Sequence, residues 1–115
     1  MKEKIKKAIS AHGAWRDRLS AAIATGKLET PLPNVKADNL CEFGKWLYGE
    51  GATLSGSDRY ARIKDLHAQF HKAAGDVAEL ALSGKKSEAG AAMAGEYAAV
   101  SSKLTKEMTD WEATL

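Results

Sequence analysis

Three stretches of helical periodicity constrain this chain more than any other feature. Ile5, Ala8, His12, Trp15, Leu19 and Ala22 recur at steps of three and four, and Ile9 and Ile23 widen the stripe before Gly26. Such spacing gathers these side chains on one face of an amphipathic helix. A second series runs Tyr60, Ile63, His67, Phe70, Ala74, Val77 and Ala81, from a cap at Ser57 to a stop at Ser83-Gly84. The third is Met93, Tyr97, Val100, Leu104, Met108, Trp111 and Leu115, with Ser87 as its cap. Strand signals are nearly absent, so the pattern predicts an all-α fold.

Between the first two series, Pro31, Pro33 and Asn34 predict an irregular connector. The segment LCEFGKWLYG, residues 40–49, follows. It predicts a short helix capped by Asp38 or Asn39 and closed by Gly49 or Gly51. Three long helices plus this short one, which carries the cysteine, make a four-helix bundle. At 115 residues the chain is long enough to bury a core without disulfides, and residues 1–115 read as a single domain.

Charge narrows the function. Seventeen Lys and Arg against fifteen Asp and Glu give a net charge of +2, too weak for a nucleic-acid footprint. The KEKIKK run at residues 2–7 reads as a solvated first turn. No run of about 18 apolar residues is present and the N-terminus lacks the apolar centre of a signal peptide, which predicts no membrane contact and a cytoplasmic setting. A lone cysteine, Cys41, fits a reducing compartment and has three uses: core filler, reactive thiol or metal ligand.

All three histidines fall on or beside the apolar stripes. His12 holds a core position of the first helix, and His67 and His71 stand at i, i+4 on the second, so both imidazoles project from one face. The pair reads HAQFH, without the glutamate that serves as general base in HExxH metalloproteases. Two readings remain open on the residues alone. The histidines are hydrogen-bonded core residues beside an inert buried thiol, or one Zn²⁺ satisfies three imidazoles and a thiolate in a closed tetrahedral site. In the first turn of the short helix, Cys41 would meet N–H groups and a helix dipole that favour a thiolate. Gly44, one turn on, would let that helix approach closely, while Phe43 and Trp46 read as core anchors.

Cys41, Phe43, Gly44, Trp46 and Gly49 spell CxFGxWxxG, and with His12 upstream and HxxxH at His67 and His71 the chain resembles the chemoreceptor zinc-binding (CZB) domain family. The resemblance implies that His12, Cys41, His67 and His71 bind one zinc ion within a helical bundle. It also implies a non-enzymatic regulatory domain of cytoplasmic bacterial signalling proteins, chiefly methyl-accepting chemoreceptors and diguanylate cyclases. Their output domain is the expected partner, and a second copy meeting along the third helix is a further candidate. Its signal would be hypochlorous acid, read through Cys41 as a zinc–thiolate redox switch. A zinc-level sensor and a purely structural zinc staple are the competing roles, and Asp65, Glu96 and Tyr97 are candidates to orient the imidazoles.

Overall fold

In the computed structural model, residues 2–28, 32–37, 41–49, 51, 56 and 58–114 are described. The expected caps Asp38, Asn39 and Ser57, together with Pro31 and Leu115, lie outside them. The described residues form helices α1 (Lys2–Thr25), α2 (Leu32–Lys36), α3 (Glu42–Tyr48), α4 (Asp58–Leu82), α5 (Lys86–Ala92) and α6 (Ala98–Thr114), with a π-helical turn, Met93–Tyr97, joining the last two. No strand occurs among them.

Each long helix follows its apolar series. Ile5, Leu19 and Ala22 of α1, Ile63, Phe70 and Ala81 of α4, and Leu104, Met108 and Trp111 of α6 are all buried. They pack α1, α4 and α6 together with α3 laid across α1, which is the expected bundle of three long elements and a short cysteine-bearing helix. Full burial of one side chain such as Phe70 contributes about 1.5–3 kcal/mol, so the apolar stripes alone supply a substantial core. A satellite of Ala22, Ala81 and Ala89 closes the end of the bundle where α4 turns into α5. Alanines there let three helices converge.

Helix ends follow ordinary chemistry. Gly26 and Gly84 adopt positive φ, 73° and 77°, and terminate α1 and α4. After α4, the N–H of Gly84 donates to the Ala81 carbonyl and that of Lys85 to the Leu80 carbonyl, a Schellman arrangement. That turn leads directly into α5, whose cap position is Lys85, with no side-chain hydrogen bond. Ser87 is therefore an interior residue of α5 and not its cap, because the Schellman turn already fixes where the next helix begins.

Two further departures matter for the site. The connector expected to be irregular contains α2, whose Pro33 lies in the first turn, where a missing N–H leaves no helical bond unmade. Against α4, α2 packs at Gly75, where a Cβ would overlap the Cγ of Lys36. The third long helix is also interrupted: Gly95 takes non-helical angles (φ −93°, ψ −108°) inside the π turn.

Candidate metal centre

The middle turns of α1 and α4 bring the three imidazoles together. His12 Nε2 lies 3.1 Å from His67 Nε2, and His71 Nε2 lies 3.1 Å from the same atom. Cys41 Sγ approaches His67 Nε2 at 3.3 Å. One donor atom from each of the four residues lies within 4.8 Å of every other. The three rings are buried and the cysteine half-buried.

Cys41 is the N-cap of α3 and not, as expected, a residue of its first turn. Its Sγ accepts the Gly44 N–H at 3.3 Å, taking the role a serine or aspartate oxygen plays at an ordinary N-cap. That N–H and the positive end of the helix complement negative charge on the sulfur. Gly44 is buried directly beneath it. At the other end of α3 the Gly49 N–H donates to the Trp46 carbonyl at 3.1 Å, and a Cβ on Gly49 would stand 2.9 Å from the Lys45 carbonyl. The Tyr60 hydroxyl donates to the Leu47 carbonyl at 2.5 Å, fastening α3 to α4.

Two of the rings are oriented by backbone. His12 Nδ1–H donates to the Ala8 carbonyl at 2.7 Å, and His71 Nδ1–H donates to the Val35 carbonyl of α2 at 3.0 Å. The candidates Asp65, Glu96 and Tyr97 do not fill this role. Asp65 accepts from Gln69 at 2.7 Å, Glu96 is exposed, and the buried Tyr97 hydroxyl has no hydrogen-bond partner among the described residues. A carbonyl from the preceding helical turn or from a neighbouring helix carries no side-chain signature, so sequence reasoning missed both Ala8 and Val35. Gly75, isolated in the middle of α4, was the one available sign that another element packs there.

This hydrogen bonding fixes the chemistry of the cluster. With their protons on Nδ1, His12 and His71 both turn Nε2 lone pairs toward His67 Nε2, which also faces the sulfur. A single N–H on His67 can answer only one of these three acceptors. The remaining lone pairs converge without a proton between them, and a cation satisfies them together. Nitrogen ligands on one tetrahedral zinc, at about 2.0–2.1 Å each, stand about 3.3–3.4 Å apart, close to the 3.1 Å separations observed. Imidazole nitrogen and thiolate sulfur are both ordinary zinc donors, and four of them fill a tetrahedral site. The residues fit the ion.

Electrostatics agree. Burial, then the neighbouring His12 and His71, lowers His67 to about 2. Burial likewise lowers His12 to about 4, with the Ala8 hydrogen bond partly opposing it and His71 adding to it. Both rings are neutral near pH 7, so protons do not compete for the inward lone pairs. Phe43 and Phe70 meet the rings edge-on, at 5.2 Å from His67 and 5.0 Å from His12 respectively, and wall the cluster with apolar surface. Phe43 also stacks on Trp46 at 5.8 Å, which confirms both as core anchors.

The sequence profile described as chemoreceptor zinc-binding domain matches residues 12–78, more than half of the chain. The chain belongs to the CZB family. Its matched span begins at His12 and contains Cys41, His67 and His71. CZB domains are regulatory rather than catalytic and form part of larger signalling proteins. Comparison with curated proteins and with solved structures gives no significant match. Among the described residues, no helix is long and apolar enough to cross a membrane.

Proposed function

We propose that residues 1–115 act as one zinc-binding regulatory domain in which His12, Cys41, His67 and His71 ligate a single Zn²⁺, and in which oxidation of Cys41 is the signal. One observation carries the reading: the only sulfur of the cluster is also the N-cap of α3. Bound there, zinc would keep the sulfur as thiolate, the form that oxidants attack. Hypochlorous acid delivers its oxygen to the sulfur and chloride leaves, so the sulfur loses two electrons and becomes a sulfenic acid. Oxidation takes the thiolate charge off the sulfur, which is then a weaker acceptor for the Gly44 N–H that it holds at 3.3 Å. One chemical event therefore weakens a ligand and a helix cap together, and α3 shifts against α1 while the histidines stay on the two long helices.

An attached output domain in a chemoreceptor or a diguanylate cyclase would read that shift, in the cytoplasm where a lone thiol stays reduced. The deciding experiment treats the zinc-loaded protein with equimolar hypochlorite and follows the mass of the Cys41 peptide, Trp46 fluorescence and helix content. Addition of one oxygen at Cys41 with a change in Trp46 emission is expected. Confirmed oxidation of Cys41 with unchanged emission and helicity would refute the switch and leave zinc as a structural staple or as the sensed species itself.

A further inference from the structure

Two methionines lie among the described residues, and they differ in access. Met108 is buried in the core, whereas Met93, the first residue of the π turn, is only half-buried. Its side chain packs on the edge of the main core, and its Sδ accepts a hydrogen bond from the Ser20 hydroxyl of α1 at 3.8 Å. Ser20 is exposed, so this contact faces solvent. A thioether sulfur there is open to two-electron oxidants, which convert it to a sulfoxide.

The surroundings of Met93 suit the oxidised side chain better than the reduced one. A thioether is a weak acceptor for a hydroxyl, and a sulfoxide oxygen is a strong one. The sulfur–oxygen bond is about 1.5 Å long and an O–H···O hydrogen bond about 2.8 Å. With Sδ and Ser20 Oγ 3.8 Å apart, these two lengths close a triangle whose angle at the new oxygen is about 120°. That is an ordinary lone-pair direction, and neither side chain has to move to reach it. Ser20 thus stands where a donor for the product is needed.

We propose that Met93 is a site of reversible two-electron oxidation whose sulfoxide is held by Ser20, so that oxidation fastens the π turn to α1. With hypochlorous acid as oxidant, a bond forms between Sδ and oxygen and the oxygen–chlorine bond breaks. The sulfur loses two electrons, chloride leaves with them and the proton goes to water. Neither Met93 nor Ser20 belongs to the four-donor cluster, and the proposal does not depend on oxidation of Cys41.

The test treats the zinc-loaded full chain with a graded excess of hypochlorite and then with dithiothreitol, which returns a sulfenic acid at Cys41 to the thiol and leaves sulfoxides in place; zinc is then restored. Trypsin cuts after Lys86, Lys103 and Lys106, so Met93 and Met108 fall in separate peptides whose fragment masses locate each added oxygen. Expected is oxidation of Met93 at least about tenfold faster than of Met108, reversed by methionine sulfoxide reductases. Thermal melts of the parent, Ser20→Ala, Met93→Leu and the double variant, before and after oxidation, test the role of Ser20. Ser20→Ala should lower the melting temperature of oxidised protein by about 3 °C more than that of unoxidised protein, and this excess should vanish in the Met93→Leu background. Equal oxidation of the two methionines, no oxygen at Met93, or the same Ser20→Ala shift before and after oxidation overturns the proposal. Oxidised Met93 beside unmodified Cys41 upholds it while telling against the thiolate as the signal. The peptide masses need no variant, so that arm decides even where a substituted chain is not folded by circular dichroism.

Discussion

Replacing Cys41 by serine and by alanine separates the two tasks that one sulfur performs. Serine keeps an acceptor for the Gly44 N–H but is a poor zinc ligand, whereas alanine removes cap and ligand together. Loss of an N-cap acceptor costs about 0.5–2 kcal/mol, so in zinc-free protein Cys41→Ala should be about 1 kcal/mol less stable than Cys41→Ser. For a domain of 115 residues that corresponds to a fall in melting temperature of about 4 °C. Zinc at 100 times its dissociation constant adds about 2.7 kcal/mol to the native state, and both variants should forfeit most of that gain relative to the parent chain. Thermal melts at 222 nm with excess chelator and with excess zinc give all six values. Coincident melting of the two zinc-free variants would refute the capping role of the sulfur. A zinc-induced rise in Cys41→Ala equal to that of the parent would refute its role as a ligand.

Acid should destabilise the zinc-free bundle through its histidines. A buried base is protonated first in the unfolded chain; above about pH 6.5 neither state holds that proton and stability is complete, and it falls as pH drops toward about 4, where native His12 titrates. His12 alone accounts for about 3 kcal/mol of loss across that window, and His67, lowered further, adds to it; urea titrations on chelator-treated protein between pH 7 and pH 4 should show the slope, and a flat profile would contradict the burial of neutral rings. Gly75→Ala should push α2 off α4, because the added Cβ meets Lys36 Cγ. That displaces the Val35 carbonyl from His71, so zinc affinity should drop by about 10–100-fold; Lys36→Ala in the same chain removes the obstructing atom and should restore it, as measured by competition with a chelator. Tyr60→Phe should cost about 1–3 kcal/mol, since it leaves the Leu47 carbonyl at the end of α3 without its donor, and equilibrium unfolding that matches the parent would show water or another donor taking its place.

The site was legible because its donors are side chains on strongly periodic helices. His12, His67 and His71 sit at core positions of α1 and α4, so helical phase alone aims them inward, and CEFGKW marks α3 through residues with few other uses. What sequence left out lies where backbone acts. Cys41 as cap depends on the angles at one residue, φ −78° and ψ 161°, which a sulfur side chain does not announce. Neither the Ala8 nor the Val35 carbonyl differs chemically from any other. Pro33 was read as a breaker, although in a first turn it is compatible with helix, and Ser87 was read as a cap without knowledge that the Gly84 turn had already set the start of α5.

The widened turn at Met93–Tyr97 governs how the C-terminal third keeps its alignment. Ala89, Met93 and Tyr97 are four apart, and in an unbroken α-helix two such steps rotate the apolar stripe by about 80°. The π turn takes up the surplus residue, so Ala89 before it and Tyr97 after it are both buried in the bundle. Residue number and angular register are thereby uncoupled at this one point. Along α1 and α4 a single insertion would turn every later side chain away from the core, while between α5 and α6 the chain already accommodates one.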